Sequence, residues 1–341
     1  MINHIEPYYG KAEQQAMDKY LKSGGFMTEH TVTREFERLL AAFLGVPYVS
    51  CVPNGTSAIY LSLLAAGIGK GDKVLVPDLT MVATANAVRM TGAEPILVDI
   101  DPWNFCLDIH AVHSEAKAMI YVDLNGRSGN MREMKKYCKD NIILIEDACQ
   151  AFGSKHKGKY LGTFGRFGCF SLGFHKIITT GQGGFVVTHT KVDYEAIERL
   201  KDFGRVKSGN DIHDHMGFNF KFTDLQAVIG IEQLKTIEWR MKKKRQIYQW
   251  YFDEEAPEGY VPWFIEYVGF PLERDELYEM LMKKKIGCRK MYPPIHTQKI
   301  YKTDKEFHFA ETISEMILWL PSSLSLTKEQ VRMVRKEYEN C

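Results

Sequence analysis

The stretch Ile143-Leu144-Ile145-Glu146-Asp147-Ala148-Cys149-Gln150 decides the architecture. Its apolar first half reads as a strand covered on both faces, the signature of a buried, mostly parallel sheet. Its second half closes that strand with two consecutive carboxylates, which are costly to bury unless something cationic meets them. The stretch itself predicts a strand over Ile142–Glu146, and similar β-rich runs flank it at Val49–Val52, Lys73–Val76, Glu94–Val98, Ala118–Val122, Phe167–Leu172 and Gly184–Val187. Helical patterns lie between them at Ser57–Ala66, Val82–Thr91 and Met131–Cys138. Strands alternating with helices predict an α/β fold with a mostly parallel sheet sandwiched by helices. In such sheets ligands collect at the carboxyl ends of the strands.

The rest of the chain adds an arm and a smaller C-terminal part. A helix over Lys11–Leu21 stops at Ser23-Gly24-Gly25, and a long charged helix is expected over Leu225–Tyr251. Gly259-Tyr260-Val261-Pro262 then opens a compact closing segment. The expected organisation is an arm at 1–30, a large domain at 31–235, and a long helix with a small α/β domain at 236–341. A length of 341 residues suits two domains at roughly 150 residues each.

Composition removes several function classes. With 44 Lys+Arg against 43 Asp+Glu the formal charge is +1, which gives no overall field for a nucleic-acid backbone. The basic runs Lys283-Lys284-Lys285 and Lys242-Lys243-Lys244-Arg245 read as solvated helix faces. No window approaches the ~18 apolar residues of a membrane span, and Met1–Glu6 lack the pattern of a secretion signal. Seven scattered cysteines without a C-x-x-C pair suit reduced thiols in the cytoplasm. His213 and His215, beside Asp211 and Asp214, read as a polar loop, and no metal is expected.

Four segments carry chemistry, the first three at or just after a predicted strand. Asn54-Gly55-Thr56-Ser57 opens a helix, whose free N–H groups and two hydroxyls make a phosphate seat; alone, it is also an ordinary helix cap. Asp147 suits a protonated ring nitrogen or a metal, and alone would serve equally as a helix cap. Cys169-Phe170-Ser171-Leu172-Gly173-Phe174-His175-Lys176 places a lysine ahead of the glycine-rich turn Gly181-Gln182-Gly183-Gly184. Desolvation there lowers an amine's pKa, which imine formation requires. The fourth is the polar-aromatic loop from His215 to Asp224. A phosphate seat, an acid and a lysine 29 residues further on match the phosphate, pyridine nitrogen and aldehyde of pyridoxal 5'-phosphate.

These motifs resemble the DegT/StrS-type sugar-nucleotide aminotransferases, with the aspartate aminotransferase-like (fold type I) architecture of a seven-stranded sheet and a smaller C-terminal domain. The resemblance runs nearly end to end, through Ser23-Gly24-Gly25, Leu44-Gly45-Val46, Asn54-Gly55-Thr56-Ser57, Gly92-Ala93-Glu94-Pro95, the Asp147 and Lys176 segments, Thr223-Asp224-Leu225-Gln226-Ala227 and Tyr292-Pro293-Pro294-Ile295-His296. It implies that Lys176 is the Schiff-base lysine and proton shuttle. Asp147 would meet the pyridine nitrogen and Gln150 the ring hydroxyl. Gly55, Thr56, Ser57 and Ser171 would hold the phosphate, and Asn219 would reach it from the neighbouring subunit of a homodimer with shared active sites. It also implies a nucleotide-diphosphate sugar substrate, L-glutamate as donor (leaving as 2-oxoglutarate), and a pyridoxamine phosphate intermediate. His215, Arg289, Tyr292 and His296 are expected at the substrate mouth.

Some positions depart from the family's pattern. Met81 stands where an aromatic ring is common over the pyridine, and sulfur–aromatic contact still allows packing there. Gln182 replaces a frequent Glu, and Asp123 a frequent His. Family members that dehydrate carry His at the lysine position; the spacing to Gly181 sets Lys176, not His175, in that place. The expected reaction converts a 4-keto-6-deoxy sugar to a 4-amino-4,6-dideoxy sugar. Amination at C-3, a dehydratase and a cofactor-binding regulator are the alternatives, the last lacking a spare segment for a second module.

Overall fold

The seven apolar runs form one sheet. In the computed structural model, which describes residues 1–113, 115–139, 142–206 and 210–339, they are β1 (Tyr48–Val52), β2 (Lys73–Pro77), β3 (Glu94–Val98), β4 (Ala118–Val122), β5 (Ile143–Asp147), and, after a short hairpin of β6 (Lys155–His156) and β7 (Lys159–Tyr160), β8 (Phe167–Ser171) and β9 (Gly184–Thr188). Their spatial order is β1-β9-β8-β5-β4-β2-β3. β9 runs antiparallel to both neighbours, while the other adjacent pairs are parallel.

Two cores explain the continuous hydrophobicity. Ile120, Val122 and Ile145 face one way, into a cluster with residues of α3 (Gly55–Ala65), α4 (Ala83–Met90) and α6 (Lys191–Lys201). Met119, Tyr121 and Leu144, their neighbours in the chain, face a second cluster. That one holds residues of α2 (Thr31–Leu44), α5 (Met131–Cys138) and α7 (Asp224–Lys235), with α1 (Lys11–Lys22) lying along α7. Alternate side chains of the central strands therefore enter different apolar layers, and β4 leaves none for water, while the edge strand β3 stays partly exposed.

The single helix expected over Leu225–Tyr251 is two, α7 and α8 (Ile237–Phe252), parted at Thr236 (φ −106°, ψ 11°). The Thr236 hydroxyl donates to the Gln233 carbonyl, a local bond that competes with the helical ladder. The break lets Arg240 reach the carbonyls of Ile177 and Tyr8. Beyond α8, β10 (Ile265–Val268), β11 (Arg289–Lys290) and β12 (Ile317–Leu320) form an antiparallel sheet in the order β10-β12-β11. α9 (Pro271–Lys283), α10 (His308–Met316) and α11 (Lys328–Tyr338) complete this part. Its core joins Ile247 and Tyr251 of α8 to Leu277, Leu281, Leu318, Leu320, Val331 and Val334.

The connections matter for chemistry. Asn54, Asp78, Asp99 and Asp123 follow the ends of β1 to β4, and Asp147 ends β5. The polar residues thus gather at one edge of an otherwise apolar sheet, the edge where parallel α/β sheets bind ligands.

Candidate active site

α3 starts hard against the ends of β5 and β8. A Cβ on Gly55 would lie 2.6 Å from Cys149 Sγ and 3.1 Å from Ser171 Cβ, so only glycine lets the helix begin there. The Asn54 side chain accepts the Ser57 N–H at 2.8 Å, which caps the helix. The N–H groups of Gly55 and Thr56, in the first turn, have no acceptor within the helix. The helix N-terminus, with Ser57 in its first turn, therefore meets Ser171 and Cys149 at one point, with the partial positive charge that anions seek.

Asp147 is buried beside this point. Its Oδ2 accepts from the Thr84 hydroxyl at 2.8 Å and its Oδ1 from the Cys149 N–H at 3.2 Å. Gln150, also buried, is oriented by Asn125, whose N–H donates to Gln150 Oε1 at 3.0 Å. The amide nitrogen of Gln150 consequently points the other way, to the Tyr292 hydroxyl at 3.2 Å. Asn125 itself sits at φ +52° and brackets the Phe264 backbone, accepting from its N–H at 2.7 Å and donating to its carbonyl at 2.9 Å.

Lys176 emerges from the loop after β8. Its Nζ stands 3.8 Å from the centroid of the Trp263 indole. Burial lowers its pKa to about 8, against the opposing pull of Cys149 and Asp147. His175 is different. Burial, then the charges of Lys176, Arg289 and His4, push its pKa down to about 3, and its carbonyl accepts the Trp263 Nε1–H at 2.9 Å. Of the two adjacent residues, only Lys176 is set electrostatically against Asp147.

The second carboxylate of the pair lies on the opposite face of β5. Glu146 accepts the N–H groups of Gly162, Phe164 and Gly165, while burial pushes its pKa up to about 7. Neighbouring Asp123 is fully buried, and its carboxylate oxygens have no hydrogen-bond partner among the described residues. Burial, then Glu146 and Asp147, raise its pKa well above the usual range.

The other expected residues divide. Tyr292 reaches the site through Gln150. Met81 is half-exposed in the β2–α4 loop, its carbonyl accepting the N–H of Thr84, the residue that holds Asp147. Arg289 is exposed, 5.7 Å from the ring of Trp319, which in turn meets Trp263 and Tyr292 edge-on. His296 is buried with both ring nitrogens engaged by carboxylates, Nδ1 by Asp78 at 2.5 Å and Nε2 by Glu311 at 3.1 Å. It ties the C-terminal part to the end of β2 and has no ring nitrogen left for a substrate. His215 and Asn219 are exposed on the loop before α7. His215 pairs with Asp214 at 2.8 Å, and Asn219 lines a cavity with Arg34, Arg199 and Lys221. Thr84, Asn125 and Trp263 were not singled out from sequence; Thr84 lay within the helical pattern over Val82–Thr91, whereas Asn125 and Trp263 carry no local signature.

This donor set fits pyridoxal phosphate. Backbone N–H groups and hydroxyls suit a phosphate, a buried carboxylate suits a protonated pyridine nitrogen, and an amine of lowered pKa suits an aldehyde. Gln150 Nε2, beside its bond to Tyr292, has a second N–H of the kind that suits a ring hydroxyl.

The profile of the DegT/DnrJ/EryC1/StrS aminotransferase family matches residues 7–338. The chain belongs to this family. It is 34% identical to a GDP-perosamine synthase of Escherichia coli O157:H7, over 96% of this chain and 94% of that one. It is 31% identical to a UDP-N-acetyl-3-dehydro-alpha-D-glucosamine 3-aminotransferase of Acidithiobacillus ferrooxidans, over 88% and 86%. The crystal structure of a DegT DnrJ EryC1 StrS aminotransferase from Brucella abortus superposes with a TM-score of 0.89 at 26% identity, covering 96% of this chain and 95% of that one. The DegT/DnrJ/EryC1/StrS member described here is accordingly a pyridoxal-phosphate-dependent sugar aminotransferase with the fold type I architecture.

Proposed function

We propose that this enzyme moves the amino group of L-glutamate to a nucleotide-linked 4-keto-6-deoxy sugar, giving 2-oxoglutarate and a 4-amino-4,6-dideoxy sugar. The observation that carries the reading is the Lys176 amine, of lowered pKa, set against buried Asp147 beside the start of α3. Amination at C-4 is favoured over C-3 because the relative at 34% identity is a perosamine synthase, of the 4-amino kind, while the 3-aminotransferase stands at 31%.

Pyridoxal phosphate, when bound, supplies an aldehyde that exchanges amino groups and a protonated ring that withdraws electrons. Asp147 holds the proton on the ring nitrogen, and Thr84 keeps that carboxylate aimed. Gly55, Thr56, Ser57 and Ser171 hold the phosphate. Gln150 donates to the ring hydroxyl, its orientation fixed by Asn125. The half-exposed Met81 side chain would pack against the ring. Lys176, neutral for an appreciable fraction of the time near pH 8, accepts a proton at Nζ from the donor's α-carbon and returns one in the second half-reaction.

Arg289 and Tyr292 line the substrate mouth, where a diphosphate needs cationic and hydrogen-bonding partners. His215 and Asn219, exposed on the loop before α7, serve the site of a second copy, which makes the working unit a homodimer. Free, unpaired cysteines suit a cytoplasmic enzyme. Incubating the cofactor-loaded protein with L-glutamate and a panel of GDP-, dTDP- and UDP-linked 4-keto and 3-keto sugars tests the proposal. A product one amino group richer at C-4 is expected. A deoxygenated sugar without nitrogen would make the enzyme a dehydratase instead.

A further inference from the structure

We propose that the crevice between the β6–β7 hairpin, the Trp103-Asn104 loop and the 257–260 segment is a second ligand site, which takes a nucleoside diphosphate. The crevice is about 720 Å³, within the range of small-molecule sites, and is lined by Trp103, Arg127, Ser128, Lys155, Lys157 and Tyr260 among others. It is separate from the Lys176 cleft. Asn125 turns inward to Gln150 and Phe264, whereas the next residues, Gly126 to Ser128, line the crevice.

Three features point to a phosphate. Arg127 pairs with Glu266 and faces the rings of Phe105 and Tyr260, yet its Nη1 is buried with no hydrogen-bond partner among the described residues. His156 also lines the crevice. Its Nδ1 meets the Ser128 hydroxyl at 3.2 Å, but its Nε2 is likewise buried without a partner among them. Buried polar atoms seldom go unpaired; a rotation of either side chain toward the crevice would let a phosphate oxygen accept from Arg127 Nη1, and from His156 Nε2 in the tautomer whose Nδ1 accepts the Ser128 hydroxyl.

The third feature is Lys157. The hairpin turns on Lys157 (φ +49°) and Gly158 (φ +81°), positive φ at both central residues as a type I′ turn requires. Asn, Asp or Gly is at ease there and lysine is not. What lysine adds is a cation at the crevice rim. With Arg127 already paired to Glu266, Lys155 and Lys157 line the crevice with a single carboxylate, Glu258. A planar ring is indicated by Trp103, a residue 89% exposed at the edge of this basic crevice and open to stacking.

The test uses the full-length, cofactor-loaded protein, titrated with GDP, UDP and dTDP and separately with inorganic pyrophosphate, by calorimetry and tryptophan fluorescence. A double variant, Trp103→Ala with Lys157→Asn, changes two exposed side chains and puts a turn-compatible residue at 157. At least one nucleoside diphosphate should bind the wild type in an event that the double variant weakens tenfold or more, with the melting temperature and the glutamate-driven absorbance change unaltered. Unchanged stoichiometry and affinity in the variant would overturn the proposal, and so would pyrophosphate binding as tightly as the nucleotides. The site does not rest on the sugar-aminotransferase reading: loss of nucleotide binding at the Lys176 cleft alone would count against that reading and leave this one standing.

Discussion

The Lys176 amine lies 3.8 Å from the centroid of the Trp263 indole, so the reactive nitrogen of the large sheet rests on a residue that leads into the small one. Trp263 is held by its own Nε1–H on the His175 carbonyl and, through the next residue, by the two bonds from Asn125 to Phe264. The ring face favours the charged amine by about 0.5–2 kcal/mol. Burial acts in the opposite direction and wins, which is why the pKa falls to about 8.

The first consequence is kinetic. Only the neutral amine attacks an aldehyde, so the rate at which the apo-protein captures pyridoxal phosphate should rise with pH and level off above about 8. Stopped-flow absorbance reads this directly. A rate that keeps climbing to the ordinary lysine value of 10.5 would show that the amine is not desolvated.

Asp147→Asn keeps the shape of the site but removes its buried charge. Losing one partner of such a charge pair costs about 2–5 kcal/mol, so cofactor affinity should fall roughly thirtyfold or more. Thr84→Val removes one hydrogen bond to a charged group, about 1.5–3 kcal/mol, and should give a smaller loss of the same kind. Equilibrium dialysis of the cofactor from each variant gives the ranking.

Much of the fold was legible because strand ends coincide with changes in residue chemistry. Five of the seven apolar runs stop at Pro or Asp, and those stops mark the edge where the site forms. Asp147 could be read because it is such a stop, and Lys176 because it follows the Gly173 that closes another run. Thr236 could not be read as a helix break, since the apolar periodicity continues through it and the competing bond to Gln233 is a matter of geometry. Likewise His296 read as a substrate contact, because its partners Asp78 and Glu311 come from distant segments. Asn125 was silent for the same reason: its bonds reach Phe264, 139 residues away.

Asn125 offers a stability prediction. Asn125→Ala loses both bonds to Phe264 and places alanine at φ +52°; Asn125→Gly loses the bonds without the strain. Chemical denaturation should show both destabilised, glycine by roughly 2–3 kcal/mol from stranding two buried backbone groups. Alanine should be worse by about 1–2 kcal/mol, the cost of a left-handed conformation.

Lys244 gives a pH signature unconnected with catalysis. It is buried, its ammonium donates to the carbonyls of Trp263 and Ser322 at 2.7 and 2.6 Å, and burial lowers its pKa to about 7. Between about 7 and 10.5 the unfolded chain carries a proton on this lysine that the folded chain has lost, so its contribution makes stability rise with pH across that window. Below 7 both states hold the proton and the contribution is flat. Denaturation midpoints from pH 6 to 10 should show this rise in the wild type and a smaller one in Lys244→Met.

The central claim is that Lys176 carries an amino-group exchange driven by glutamate, and one spectrum tests it. Purified protein loaded with pyridoxal phosphate should show a visible absorbance band that L-glutamate bleaches and a 4-keto-6-deoxy sugar nucleotide restores, over repeated cycles. Lys176→Ala should bind the cofactor yet show neither change at a catalytic rate. A wild-type band indifferent to glutamate, or a Lys176→Ala protein that cycles normally, would contradict the account.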